Sequence, residues 1–246
     1  MAERIRLDLA LEQRGLAQSR ARARDAILRG TVRVSGTIVT KPGALVGAAD
    51  AIAINDPAAA YVSRAALKLI AGLDAGGIEV AGRTCLDLGA STGGFTQVLA
   101  ERGAAKIYAV DVGHGQLHQR VRDLPAVVSM EGTNVKDLTR ADIPEPIDLL
   151  VCDVSFVSVT KVLAAPLSLC REGADAVILI KPQFEVGREH IGKNGIVTDT
   201  AAIARAIDAV VGFAAAQGWT HRLSVPSPIS GGDGNKETVA LFVRGG

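Results

Sequence analysis

Two rhythms of apolar and polar positions run along the chain. Beyond Thr84, short apolar runs at 85–88, 107–110, 127–130, 149–152 and 176–180 alternate with helical stretches near 94–102, 159–170 and 200–217. Strand runs alternating with helices predict a mostly parallel sheet covered by helices. Two last strands, near 222–225 and 238–243, flank a Pro/Gly-rich loop at 226–235, a connection short enough for an antiparallel final pair. Before Asn55 the rhythm differs. Leu7, Leu9, Ala10 and Leu11, followed by Arg14-Gly15, predict a short amphipathic helix closed by a glycine. Ser19 is a good N-cap for a second helix over 20–29, with Ala23, Ala26 and Ile27 on one side and Gly30 closing it. Val32-Arg33-Val34 and Thr37-Ile38-Val39 then alternate around Ser35-Gly36, the pattern of a hairpin. Turn residues and small residues at 55–60 mark a boundary. The expected organisation is a small domain at 1–57, a linker at 58–62 and a larger domain at 63–246.

Composition narrows the classes. Of 246 residues, 48% are hydrophobic, too many for a disordered chain, and with aromatics at 3% the core must be built from Val, Leu, Ile and Ala. No apolar stretch reaches the roughly 18 residues of a membrane span; the nearest, 201–216, is interrupted by Arg205 and Asp208. The first residues lack the apolar region of a secretory signal. Three cysteines, Cys85, Cys152 and Cys170, show no CxxC spacing, so neither a disulfide framework nor a zinc site is expected, and a cytoplasmic location fits. His114 and His118 stand four apart without a third ligand, so no metal is expected.

Charge changes the picture more. The formal net charge of +1 hides an asymmetry: residues 1–55 carry nine basic and five acidic side chains, so the remainder carries −3. A basic head on a mildly acidic body suggests a polyanion for the head. From Arg14 to Lys41 there are seven basic residues and one acid, a density suited to phosphates. Charge alone does not separate that reading from a merely solvated surface. On a helix Arg20 and Arg24 share a stripe, with Arg22 and Arg29 nearly opposite.

The most informative segment is Leu86-Asp87-Leu88-Gly89-Ala90-Ser91-Thr92-Gly93-Gly94-Phe95-Thr96, a glycine-rich turn directly after the first strand of the expected sheet. Glycines there let a ligand approach the backbone at the carboxyl ends of the strands. A dinucleotide fingerprint would need glycine at Ser91, and a Walker loop a lysine before Ser/Thr. Asp111 ends the second strand, followed by Val112, and is placed to accept hydrogen bonds from two ribose hydroxyls. Asp87 adds a carboxylate suited to a cationic ligand. Together these features point to S-adenosylmethionine, held by Asp87, Gly89, Ala90, Ser91, Gly93, Gly94, Phe95, Asp111, Val112 and Asp153.

Four charged residues bear on the reaction. Lys68 lies in a helical stretch and, taken singly, reads as a surface lysine. Asp153 and Lys181 each follow an apolar strand, so both emerge at the carboxyl edge beside the glycine turn; a structural salt bridge is the plain alternative. Glu237 opens the last strand.

Two resemblances follow. Arg6-Leu7-Asp8, Ser19-Arg20-Ala21-Arg22-Ala23 and Ile27-Leu28-Arg29-Gly30-Thr31-Val32-Arg33-Val34-Ser35-Gly36 resemble the S-four-like RNA-binding fold. That resemblance implies RNA contacts at Arg6, Arg20, Arg24, Arg29, Arg33 and Lys41. Lys68, Asp153, Lys181 and Glu237 match, in order, the catalytic tetrad of FtsJ-type ribose 2′-O-methyltransferases. The segments Val62-Ser63-Arg64, Gly89 to Phe95, Asp111-Val112-Gly113-His114-Gly115-Gln116-Leu117, Asp153-Val154-Ser155-Phe156 and Lys181-Pro182-Gln183-Phe184-Glu185-Val186-Gly187 look like the TlyA, or hemolysin A-like, family. The implied fold is α/β, a Rossmann-like S-adenosylmethionine-dependent methyltransferase sheet with a small N-terminal α+β RNA-binding domain.

The implied activity is methylation of a cytidine ribose in ribosomal RNA, with the ribosomal subunit as partner and neither membrane nor metal. Because the chain stops just after its last strand, large-subunit 23S RNA is favoured over small-subunit 16S RNA. Lys181 is expected either to take the hydroxyl proton or to polarise the oxygen, with Lys68 as cationic neighbour. Two other readings stand beside this one: a membrane-active hemolysin, for which the sequence holds no physical support, and a catalytically inactive assembly factor, against which the intact tetrad argues.

Overall fold

The structure is a computed structural model describing residues 4–245. The chain divides into two compact units, residues 1–60 and 61–246.

In the first unit β1 (Arg4–Arg6) leads directly into α1 (Leu7–Gln13), which ends as expected with Gly15 at φ +68°. The Ser19 hydroxyl accepts the Arg22 N–H and caps α2 (Arg20–Leu28). Ser35 and Gly36, at φ +47° and +83°, turn β2 (Val32–Val34) into β3 (Thr37–Ile38). Positive φ at both central residues is the geometry that matches strand twist in a tight hairpin. Sequence patterning did not find β4 (Leu45–Gly47), antiparallel to β1, or β5 (Ile52–Ile54), antiparallel to β2. Both are three residues long, too short for a periodic signal. Leu7, Leu11, Ala23, Ala26, Ile27, Val32 and Val46 form this unit's core.

The second unit opens with α3 (Ala66–Gly76), followed by β6 (Thr84–Leu88), α4 (Gly94–Glu101), β7 (Lys106–Asp111), the short α5 (Gln119–Arg122), β8 (Val127–Glu131) and β9 (Ile147–Cys152). Then come α6 (Ala164–Ser168), β10 (Cys170–Ile180), α7 (Pro182–Glu185), α8 (Thr200–Ala216), β11 (Trp219–Pro226) and β12 (Thr238–Arg244). The seven strands lie in the order β11-β12-β10-β9-β6-β7-β8, and only β12 runs against its neighbours.

Alternate residues of each strand feed two cores. Leu86, Leu88, Leu150, Ile178 and Phe242 pack with Leu167 of α6 and Val210 of α8. Cys85, Ile107, Leu149, Val151, Val177 and Leu241 pack on the opposite face with Leu69 and Leu73 of α3 and Val98 and Leu99 of α4. The expected helix over 159–170 is not continuous. A 3₁₀ turn at Val159–Lys161 gives way to the short α6, and Cys170 already begins β10. Pro166 has no N–H to donate back to residue 162, so the helix restarts with Pro166 in its first turn, where that donor is not needed.

The helix α3 lies close on the sheet because Gly72 faces it. A Cβ there would stand 2.7 Å from Val239 Cγ1 and 2.9 Å from Val177 Cγ1. Gly72→Ala should lower the thermal stability of the protein, since overpacking costs about 1–3 kcal/mol against about 1 kcal/mol gained in helix propensity. An unchanged or raised melting temperature would refute this account of the packing.

Candidate functional site

Every parallel strand ends on one edge of the sheet, and the glycine turn after β6 lies there. Gly89 adopts φ +80°, and a Cβ on it would stand 3.0 Å from the Asp153 carbonyl oxygen and 3.1 Å from Val154 Cα. The Gly89 and Ala90 N–H groups both donate to Val110 O, and the Asp153 N–H donates to Leu88 O. These bonds hold the ends of β6, β7 and β9 side by side. A cavity of about 630 Å³ opens there, lined by Gly89, Ser91, Asp111, Val112 and Asp153 among the expected residues.

The other expected cofactor residues stand behind that wall. Asp87 and Phe95 are buried, Phe95 in the core with Leu99 and Val98. Ala90 packs with Ala109, Leu117 and Val121. Cβ atoms on Gly93 and Gly94 would meet Leu117 at 2.8 Å and Ser63 at 2.8 Å, so both glycines serve close packing. Asp111 is engaged in shaping the turn: its two oxygens accept the Ser91 N–H at 2.8 Å and the Gly113 N–H at 2.7 Å. Each carboxylate oxygen retains a further lone pair.

The four charged residues come together as two ion pairs. Lys68 Nζ meets Glu237 Oε2 at 2.5 Å, with both side chains buried. This corrects the surface reading of Lys68: α3 turns that face inward, onto the start of β12. Lys181 Nζ faces Asp153 Oδ1 at 2.6 Å as an ion pair outside hydrogen-bond geometry, and donates to Ser155 Oγ at 2.7 Å and to Asp153 O at 3.3 Å. Burial pushes the Glu237 carboxyl up from its ordinary value; Lys68 and then Lys181 oppose that, and Asp153 adds to it. All four groups therefore share one electrostatic neighbourhood. Of the four only Asp153 lines the cavity, and Lys181 reaches its wall through Ser155.

Asp87 lies beneath. Its Oδ2 accepts the Thr96 hydroxyl at 2.6 Å, its Oδ1 has no partner, and burial, reinforced by the nearby Asp153 and Asp111 carboxylates, pushes it up to about 7 against the Thr96 bond.

The cavity also brings in residues to which the sequence reading gave no role. Gln116, Asn134, Lys136, Ser155, Phe156 and Lys161 line it. Phe156 is 92% exposed at φ +66°, with its ring 5.4 Å from that of Phe184. In the sequence its one signal was its place three residues after the strand-ending Asp153, in a segment that carries the family resemblance.

On the first unit the expected RNA contacts divide. Arg20, Arg24, Arg33 and Lys41 are exposed, and Arg6 is exposed beside Asp8. Arg29 has a different job. Its guanidinium forks onto Asp56 at 2.7 and 2.6 Å and donates to Asp25 at 2.9 Å, leaving the side chain 14% exposed. Burial of both partners makes it an internal tie rather than an outward contact.

A sheet with one reversed strand, a glycine turn on a carboxyl-edge cavity and two ion pairs beside it define a Rossmann-like methyltransferase body, here with a basic α+β module. The chain belongs to the FtsJ-like methyltransferase family, whose model matches residues 61–244, and residues 5–52 match the S4 domain. It is 46% identical over 239 residues to the 16S/23S rRNA (cytidine-2′-O)-methyltransferase TlyA of Mycobacterium tuberculosis, covering 96% of this chain and 89% of that one. It is 40% identical over 185 residues to the 23S rRNA (cytidine-2′-O)-methyltransferase TlyA of Campylobacter jejuni, covering 75% and 71%. Among solved structures, a Streptococcus thermophilus protein named as a hemolysin superposes with a TM-score of 0.77 at 34% identity, over 100% of this chain and 90% of that one. Among the described residues no helix is long and apolar enough to cross a membrane.

Asp87 makes stability depend on pH. Between the ordinary carboxylate value near 4 and about 7, the folded protein holds a proton on Asp87 that the unfolded chain has released. The unfolded state then binds fewer protons, so stability falls as pH rises through that window, by at most about 1.4 kcal/mol per unit. Asp87→Asn keeps an acceptor for Thr96 and removes the titration. Thermal unfolding from pH 4.5 to 7.5 should show the stability of the wild type falling relative to that of the variant as pH rises; parallel curves would refute the assignment.

Proposed function

We propose that this protein transfers the methyl group of S-adenosylmethionine to the ribose 2′-hydroxyl of a cytidine in ribosomal RNA, in the cytoplasm. The observation that carries this reading is the two ion pairs, the buried Lys68–Glu237 and the partly buried Lys181–Asp153, next to the cavity at Gly89 in a chain of this family. The residues present suit the cofactor. Gly89 leaves the turn open, Asp111 has lone pairs left for ribose hydroxyls, and the Asp111 and Asp153 carboxylates, which help push Asp87 up, suit a sulfonium. Gly89, Ser91, Asp111, Val112 and Asp153 would hold the cofactor, with Asp87, Ala90, Gly93, Gly94 and Phe95 fixing the turn from behind. When bound, the cofactor supplies an electrophilic methyl group.

The protein's task is then to place the hydroxyl and handle its proton. Lys181 Nζ gives two of its donors to Ser155 Oγ and Asp153 O, and because its ion pair with Asp153 Oδ1 lies outside hydrogen-bond geometry, one donor is left for a substrate oxygen. That arrangement supports Lys181 as the group that polarises and orients the ribose oxygen. As the oxygen gains a carbon its proton becomes strongly acidic, so a carboxylate suffices as acceptor, and Asp153 on the cavity wall is the nearest. Lys68 and Glu237 fix the other side of the cluster. Phe156 offers an exposed ring on which one unstacked base can rest. In the domain reading, residues 1–57 dock RNA through Arg6, Arg20, Arg24, Arg33 and Lys41, and 58–62 link them to the catalytic body.

The experiment is transfer of labelled methyl groups to isolated small and large ribosomal subunits, with the modified nucleotide mapped. Ribose methylation of a cytidine is expected. Absence of transfer to both, despite cofactor binding, would overturn the reading in favour of an inactive assembly factor. Lys181→Ala should lower the rate at least about 100-fold while cofactor affinity stays within a few-fold; full residual activity would sink the role given to Lys181. Reversing Arg20 and Arg24 to glutamate should weaken RNA binding and flatten its salt dependence without changing cofactor binding. Unchanged RNA affinity would remove those two from the docking face.

A further inference from the structure

Most of the acids in the basic first unit are explained by its folding. Asp25 and Asp56 tie down Arg29, and Asp50 accepts the Gly47 N–H in the turn before β5. Asp8 is different, because the groups it holds point outward. Its residue is 2% exposed, yet its carboxylate is wrapped by two arginines that keep about half of their own side-chain surface: Arg6 at 47% and Arg20 at 54%. Arg6 makes a fork, Nε to Oδ1 at 3.0 Å and one terminal nitrogen to Oδ2 at 2.8 Å. Arg20 Nε donates to Oδ2 at 3.2 Å, and the Leu9 N–H fills the remaining direction on Oδ1 at 2.9 Å. The two guanidiniums, Arg6 foremost, hold the carboxyl well down, to about 2.

Two long side chains from different elements, β1 and α2, thus share one anchor. Each guanidinium has five N–H donors. Arg6 spends two on Asp8 and Arg20 one, so most of their donors remain for an outside anion. The same carboxylate sits in a residue whose own N–H binds Pro42 O at 3.1 Å, which ties the loop carrying Lys41 to the start of α1.

We infer that Asp8 is a positioning residue for RNA docking: it fixes Arg6 and Arg20 as a rigid pair of guanidiniums presented to phosphates of the RNA backbone. The inference rests on the docking role proposed for this unit and adds the device that makes the docking tight. Simple electrostatics argues the other way, since a negative charge beneath the arginines opposes a phosphate. Position decides between them. The opposing charge lies behind two guanidiniums that together more than neutralise it, so the anchored group still presents net positive charge to a phosphate, whereas two free arginines must each be ordered when they bind, and that loss is suffered in full.

The two accounts therefore predict opposite signs for Asp8→Asn, which adds a positive charge to the unit. The full-length protein is titrated with purified 23S ribosomal RNA at several salt concentrations, as wild type, D8N, R6Q/R20Q and the triple variant. D8N should bind roughly three- to tenfold more weakly with the salt slope retained, because the same phosphates are still met. R6Q/R20Q should lower both affinity and slope, and adding D8N to it should change nothing further. D8N binding as tightly as wild type, or more tightly, overturns the inference. R6Q/R20Q binding at wild-type strength overturns the docking reading beneath it.

A D8N protein that unfolds would leave the question to the wild type, where the arginine Nε–H signals report order directly. Arg6 and Arg20 should give two signals protected from exchange, assigned by R6K and R20K, against a solvent-averaged Arg24. Averaging of all three overturns the inference.

Discussion

Four charged side chains at one edge of a sheet, three of them buried and Asp153 on the cavity wall, can persist only in pairs, and the second unit is arranged around that requirement. Removing an ion from water costs several kcal/mol, and deleting one member of a buried pair about 3–5 kcal/mol, because the other is left uncompensated. Lys68, Asp153, Lys181 and Glu237 come from four separate places in the chain: inside α3, after β9, after β10 and before β12. Their pairing is satisfied only when every one of those elements is in its final place. The reversed strand is part of this. Because β12 runs antiparallel to β10, with Thr238 opposite Ile180, its beginning lies where β10 ends, and Glu237 falls beside Lys181. A seventh strand running parallel would have put Glu237 at the far edge. Strand direction is thus a chemical requirement as well as a topological one.

The same edge shows how a small residue and a buried acid divide the work of one turn. Gly89 has no side chain because the end of β9 passes within 3.1 Å of where a Cβ would be. That contact is what brings Asp153 to the cavity wall. Asp87, two residues earlier, faces the interior and keeps one oxygen without a partner. An isolated buried carboxylate is costly when ionised. Near a cation the balance reverses, so a position that strains the empty protein is well suited to a positively charged ligand.

How much of this was legible depended on whether the signal was local. Parallel strands are buried on both faces, so 85–88, 107–110 and 149–152 stand out as apolar runs, and the acids and lysines that end them fall at the carboxyl edge as a matter of geometry. Caps and turns were equally plain: Gly15 and Gly36 tolerate the positive φ that a helix end and a tight turn require, and the Ser19 hydroxyl can cap a helix. Tertiary facts were not. Nothing near Lys68 announces that its neighbour is Glu237, 169 positions away, and isolated lysines are mostly exposed, so burial could not be read there. Arg29 is the mirror case. It lies in a basic run with the same appearance as Arg20 and Arg24, and only the fold brings Asp56 to it. The broken helix after 159 was signalled by Pro166, a residue whose effect is local and was outweighed by the apolar content around it.

The charge asymmetry that the sequence shows acquires a finer grain from these pairings. Counting treats every acid in the head as a subtraction from its affinity for a polyanion, and every acid in the body as a contribution to its attraction for a cation. Geometry separates them. Asp25 and Asp56 withdraw Arg29 from the surface, a true subtraction. Asp8 is held low by two guanidiniums that remain half exposed, so it costs charge while supplying order. Asp87 is pushed the other way by burial, up to about 7, so a positive neighbour would favour its charge. The effective field of each unit is therefore set less by how many charges it carries than by which of them are already spoken for.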